Sequence, residues 1–306
     1  MKTNDLTGSL QPQKESTSLL SRFVLAAFCL AAGFSYRIFV GLFPPSFVQM
    51  GSLLGLSVLF LVIAGLARRI QNLSKYWEIP FAFFIFTIAG IVGDQGGFIQ
   101  QMFVRNVLHE TPSVNNPLAS TIMGTVLAQL VSTLSLVVAI MLLTKASGSD
   151  VKSIFIDRPR KPWTLVVGIF GFVLYYLFTA SGHAQRFFPN NGVTPSRFLS
   201  LIPALVVLVL CNGLREELWF RGLFLKKYGR FLSPLSSNML SAIIFTSFHV
   251  QVQYTPAILP FLVIALILGL FLGYLVQKSG SLLASAIFHA GSDIPIFLVY
   301  LSYALS

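Results

Sequence analysis

Seven apolar runs, at roughly residues 23–43, 47–67, 118–143, 163–181, 198–220, 256–276 and 282–305, decide what this chain can fold into. Each approaches or exceeds the roughly 20 residues that an α-helix needs to cross a bilayer. In hydrocarbon, only helices and closed barrels satisfy their own backbone hydrogen bonds. Two shorter runs, at roughly 79–93 and 238–250, are candidates for further crossings. The reading is an all-α, polytopic membrane bundle of about eight helices, nine if both short runs cross. Composition agrees, with 55% of residues hydrophobic and only 10% charged, far from the makeup of soluble domains.

Orientation follows from the basic residues, which collect in cytoplasmic loops. Lys2, Lys14 and Arg22 precede the first span, and Arg68, Arg69 and Lys75 follow the second. Lys145, Lys152, Arg158, Arg160 and Lys161 follow the fourth, and Lys226, Lys227 and Arg230 follow the sixth. The intervening loops hold only Arg105, Arg186 and Arg197, so a nine-crossing chain with its N-terminus in the cytoplasm fits. Trp77 and Trp163 stand at predicted cytoplasmic boundaries, where amphipathic rings collect. The net charge of +11 is thus read as a topology determinant, and no compact basic domain is present to bind nucleic acid. Cys29 and Cys211 both lie in apolar runs, which excludes a disulfide framework or a cysteine-based metal site. Arg37 interrupts the first run, which reads as an uncleaved helix rather than a signal peptide.

The main break in the chain is a polar, basic stretch. It gives a cytoplasmic tail at 1–22, an N-terminal bundle at 23–143, a basic linker at 144–162 and a C-terminal bundle at 163–306. Between Asp94 and Pro117 the chain is too polar to cross, yet Ile99, Met102, Phe103 and Val107 recur at helical spacing against Gln100, Gln101, Arg105 and Asn106. That pattern predicts a short helix lying in the outer interface. Residues 182–197, with Asn190, Asn191 and Gly192, read as an external loop.

The second bundle holds charge in the wrong solvent. Arg215, Glu216, Glu217 and Arg221 interrupt one apolar run, His249 ends another, and His289 and Asp293 lie within the last. Each ionised group at the centre of a membrane helix costs about 2.5 to 3.5 kcal/mol on insertion scales, so such residues mark functional sites by default. Residues four apart share a helical face, so Glu217 and Arg221 can neutralise one another. Glu216 is rotated about 100° away and is left as the carboxylate available for chemistry. His289 and Asp293 are also four apart, an arrangement in which a carboxylate can fix the imidazole tautomer. A hydrogen-bonded polar pair that joins two helices is the structural alternative.

Depth places these groups together. Counted from Lys226, Ser281 and Asn238 at 1.5 Å per residue, Glu216, His289 and His249 lie roughly 15, 12 and 16 Å from the cytoplasmic face. The polar turn from Gln251 to Tyr254 is then expected to line a water-filled cavity, where irregular backbone is tolerated at depth. Pro295, with no N–H for the carbonyl of Gly291, is expected to kink the last helix.

Three motifs in order carry a resemblance. Glu216-Glu217-Leu218-Trp219-Phe220-Arg221 matches EExxxR, Phe245 to His249 matches FxxxH, and His289 to Asp293 matches HxxxN/D. In this order, on separate apolar helices, they resemble the CAAX protease and bacteriocin-processing family of intramembrane endopeptidases, related to the type II CAAX prenyl protease. The resemblance covers roughly Leu205 to the C-terminus. It implies peptide-bond hydrolysis at membrane depth, with Glu216 and His249 activating water and His289 and Asp293 supporting the oxyanion. Asp293 departs from the Asn of many relatives. An ionised Asp cannot donate to an oxyanion, so Asp293 is assigned to orienting His289.

Metal dependence stays open: Glu216, His249 and His289 could bind zinc, but the chain lacks an HExxH helix and the family's chemistry can be drawn without metal. The expected partners are the lipid bilayer and a membrane-embedded or membrane-associated peptide or protein, prenylated or not. The short loops and lack of targeting tails favour a multi-pass protein of a bacterial plasma membrane or a plastid-like one. Two rivals remain. A non-catalytic scaffold or immunity protein would keep the fold, whereas a secondary transporter would show two matching halves, and here intramembrane charge is confined to the second bundle.

Overall fold

Serine and threonine set where the helices begin. Ser18, Ser46, Thr121, Thr194 and Ser233 each accept a hydrogen bond from a backbone N–H two or three residues into the helix they precede. Pro195 and Pro234 occupy first-turn positions, where a missing N–H costs nothing. In this computed structural model, which describes residues 18–304 except Val114 and Asn191, the elements are α1 Leu19–Leu42, α2 Phe47–Arg69, α3 Glu78–Gly93 and α4 Phe98–Asn106. They continue as α5 Ile122–Ala146, α6 Trp163–Ala180, α7 Pro195–Glu216, α8 Leu225–Gly229, α9 Pro234–Ser247, α10 Ile258–Ser279 and α11 Leu283–Tyr303. Lys2 and Lys14 of the expected tail, and Asn191 of the expected external loop, lie outside the described residues.

The fold is all-α, and eight helical stretches are long and apolar enough to span a membrane. α9 is shorter, with 14 residues, about 21 Å of helix. It runs antiparallel to α10: Gln277 Nε2 donates to Pro234 O at 2.9 Å and Asn238 Nδ2 to Leu270 O at 2.7 Å. The irregular segment 248–257 then carries the chain on to the start of α10.

The helices are turned inside out relative to a water-soluble bundle. Val62, Leu134, Val138, Phe170 and Ile267 point outward and are exposed, whereas Thr125, Gln129, Ser132 and Thr133 are buried. The same solvent logic applies to α4. α4 forms where the apolar recurrence predicts, but its inward residues are Gln100 and Val104, while Met102 and Val107 are exposed. Gln100 accepts from Gly96 N at 2.8 Å, and Gln101 Nε2 donates to Gly96 O at 3.0 Å. The amides face protein and leave apolar side chains for lipid.

An aromatic core ties the two predicted bundles together across the basic linker. Trp219 stacks on Phe86 with ring centres 4.8 Å apart, and its indole N–H donates to Phe86 O at 2.9 Å. Phe83, Phe220, Phe224 and Tyr228 are buried with them. A second core joins α7 and α11 to α5 through Leu205, Leu208, Ala290, Leu298 and Ala128.

The connections divide between two ends. At one, Arg160 N donates to Ser279 O at 2.7 Å, Lys226 reaches Lys152 O and lies 4.5 Å from the Phe155 ring, and Arg230 pairs with Glu78 at 2.8 Å. The basic segments after α2, α5 and α7 therefore converge. At the other end Arg37 donates to Gln251, and Phe188 meets Tyr254 with ring centres 6.2 Å apart.

Candidate active site

A close approach of α7 and α11 assembles the polar groups. Gly213 makes it possible: a Cβ there would stand 2.5 Å from Ala286 O and 2.9 Å from Ala290 N. The adjacent Asn212 can then reach across, and its Nδ2 donates to Asp293 Oδ2 at 2.8 Å. One turn later, α7 gives way to a π-helical turn over Glu217–Gly222, in which Leu223 N donates to Leu218 O five residues back at 3.2 Å. Such single π turns are frequent at functional sites.

The two neighbouring glutamates have different partners. Glu217 is fully buried and its Oε1 accepts from Arg221 Nη1 at 2.9 Å and from His289 Nδ1 at 2.9 Å. Arg221 also donates to Gly269 O at 3.2 Å and lies 4.2 Å from the Phe245 ring centre. Glu216 Oε1 accepts from Arg215 Nη2 at 3.0 Å, while its buried Oε2 has no hydrogen-bond partner within the protein and stands 3.6 Å from His289 Nε2. The Nδ1 bond to Glu217, a carboxylate, fixes the tautomer with Nδ1 protonated, and Nε2 is turned toward Glu216 and Asp293.

Here the geometry differs from the expected role of Asp293. Its Oδ1 is 3.7 Å from His289 Nε2, beyond a hydrogen bond, and the imidazole is held by Glu217. Asp293 is held by Asn212 instead.

His249 lies just past the end of α9. Its Nδ1 donates to Phe245 O at 2.9 Å, which leaves Nε2 as the free ring nitrogen. His249, Glu216 and Asp293 line one cavity of about 940 Å³, together with Gln251, Tyr254 and Tyr300. The expected polar turn therefore does line a cavity.

Arg215, marked by its charge but given no role, and three residues that the sequence did not single out complete the surroundings. Arg215 Nη1 donates to Gly93 O at 3.1 Å and faces Asp94 Oδ1 at 3.9 Å, and Arg215 Nη2 donates to Asn212 Oδ1 at 2.8 Å. Gln95 Nε2 also donates to Asn212 Oδ1, at 3.0 Å. Asn212 was visible in principle, since it lies four residues before Glu216 on the same helical face. Asp94 and Gln95 follow α3, and no local pattern links them to α7.

Among the described residues no group of three or more His, Cys, Asp or Glu side chains is arranged to hold a metal ion. Each imidazole Nδ1 is held by an oxygen acceptor, as in metal-ligating histidines, and His249 Nε2, His289 Nε2 and Glu216 Oε2 are the atoms left to face a ligand.

Comparison with known proteins bears on the same stretch. Residues 198–294, from α7 to α11, match the model of the family described as Type II CAAX prenyl endopeptidase Rce1-like. No curated protein and no solved structure matches the chain. The segment that gathers Glu216, Glu217, Arg221, His249 and His289 thus relates this multi-pass integral membrane protein to the CAAX proteases.

Proposed function

We propose that the protein is an intramembrane endopeptidase in which Glu216 and His249 activate the attacking water. The observation that carries this reading is the free Glu216 Oε2, a buried carboxylate oxygen with no protein partner, in a cavity it shares with His249. Water held between Oε2 and His249 Nε2 gives one proton to Glu216 as its oxygen adds to the scissile carbonyl. The oxyanion is received by a protonated His289 Nε2, fixed in advance because Glu217 holds the other ring nitrogen. Collapse of the tetrahedral intermediate breaks the C–N bond, and Glu216 returns its proton to the leaving amine. Asn212 and Arg215 hold Asp293 and Glu216 in place, so little reorganisation accompanies the reaction.

The substrate is a membrane-associated protein or peptide, and the setting that fits the short loops is a bacterial plasma membrane with the N-terminus in the cytoplasm. Glu216→Ala and His249→Ala should each abolish cleavage while leaving expression intact. A comparison of the membrane peptidome of cells with wild-type and Glu216→Ala protein identifies the substrate directly. An unchanged peptidome, with the cellular phenotype retained in both variants, would favour the non-catalytic scaffold.

A further inference from the structure

We propose that the cavity takes its peptide from the end of the molecule opposite the basic loops, so that the scissile segment of the substrate lies at the non-cytoplasmic surface of the membrane. The inference rests on the protease reading for the word substrate, but its geometry is independent of catalysis. The cavity rim is built from Pro45, Ser113, Asn115, Pro189, Gln251 and Gln253, all in connections at one end, and all are exposed. None of the segments 68–78, 144–162 or 223–235 lines the cavity. Toward that basic end it stops on Trp219 and Phe220, behind which Phe86, Phe224, Tyr228 and Phe231 are packed and fully buried.

The closed end is the basic end. Arg68, Arg69, Lys145, Lys161, Lys226 and Lys227 belong to it, and an excess of Lys and Arg marks the cytoplasmic side. The open end therefore faces away from the cytoplasm. Arg37 supplies a second sign that water fills this side. It lies in the wall of the cavity, donates to Gln251, has a buried Nε without a partner, and makes no ion pair among the described residues. A charge in the wall of a cavity at this end is accommodated where water reaches it. A prenylated tail displayed in the cytoplasm has no path to Glu216 through the aromatic plug, whereas a loop or a helix end on the far side does.

The test is thiol accessibility. Cys29 is fully buried, so a Cys211→Ala background leaves no accessible thiol. On it, Gln253→Cys and Asn115→Cys report the rim and Asp157→Cys reports the basic connection, all at exposed positions. With a membrane-impermeant maleimide added to intact cells, both rim thiols should react and Asp157→Cys should react only after permeabilisation. The reverse pattern overturns the proposal. Repeating the labelling with Glu216→Ala should change nothing, because no turnover is needed. In protein with Glu216 intact, a bulky maleimide on Gln253→Cys should slow Glu216-dependent cleavage at least about tenfold. Cleavage that continues at its full rate through this block would place the opening elsewhere and sink the proposal, while the protease reading would stand.

Discussion

The two halves of the bundle sit in the same solvent and bury different kinds of polarity. In α1 to α5 the buried polar side chains are neutral, among them Ser57, Thr87, Thr125, Gln129 and Thr133. In α7 to α11 they include Arg215, Glu217, Arg221, His289 and Asp293. Ser57 and Thr87 find acceptors within their own helices, Leu53 O and Phe83 O at 2.9 Å each, while Ser132 donates across to Gly93 O of α3 at 2.6 Å. A buried charge must find its counterpart on another turn or helix. The first half therefore carries no buried charge that depends on a neighbouring helix, whereas the buried charges of the second are paired only when its site is assembled. What the first half contributes to chemistry is support, through Gly93 O, Asp94 and Gln95 behind Arg215 and Asn212.

The largest effect tests that contrast directly. Arg221→Ala leaves a fully buried Glu217 without its cation, at a cost of about 3 to 5 kcal/mol. Ser57→Ala removes a hydrogen bond inside one helix and should cost about 1 kcal/mol or less. Thermal unfolding of the purified protein in detergent measures both. Replacing the pair together, as Glu217→Leu with Arg221→Met, should recover most of the stability and still lose cleavage, since His289 Nδ1 loses its acceptor. If Ser57→Ala proved as damaging as Arg221→Ala, the contrast between the halves would fail.

What could be read in advance follows the range of each interaction. Helix positions were legible because bilayer thickness imposes a length that apolar runs report directly. The Glu217–Arg221 contact is legible because four-residue spacing is local. Which residues α4 buries was not, because the recurrence that marks a helix does not say which side meets protein. Nor was the π turn, since a shift in hydrogen-bond register leaves no mark in side-chain periodicity. His289 Nδ1 is held by Glu217 rather than by Asp293, a contact between helices that spacing within one helix does not report. Asp94 was hidden for a third reason: it meets Arg215 only through the packing of α3 against α5 and of α5 against α7.

Asp94 also provides the intermediate effect. Its side chain is partly exposed and 3.9 Å from Arg215, which still has Glu216, Asn212 and Gly93 O. Exposed or loose ion pairs contribute roughly 0 to 1 kcal/mol, so Asp94→Asn should shift unfolding by less than about 1 kcal/mol. Cleavage should fall further, by about tenfold, because Arg215 loses the group behind it while it positions Glu216. Asp94→Glu should restore most of the rate. A variant that loses stability as Arg221→Ala does would make Asp94 part of the charged core instead of its support.

The smallest effect lies in the first half, outside the spanning segments. Glu110 caps the start of α5: its Oε2 accepts from Ser120 N and Thr121 N at 2.9 Å each, and its Oε1 accepts from Thr121 Oγ1 at 2.7 Å. Burial raises its pKa, but these donors outweigh burial and hold the carboxyl below its ordinary value. A folded-state value below the unfolded one means that the stabilisation is present above the ordinary glutamate pKa of about 4.3 and is lost as pH falls through the folded value. Glu110→Gln should therefore lower the unfolding temperature slightly at neutral pH, by the equivalent of about 0.5 kcal/mol. The gap to wild type should close in acid, because protonation removes from Glu110 what the substitution has already removed. A gap that stayed constant down to low pH would show that the contribution comes from hydrogen-bond geometry alone, and that even this exposed cap obeys the neutral logic of the first half rather than the charged logic of the second.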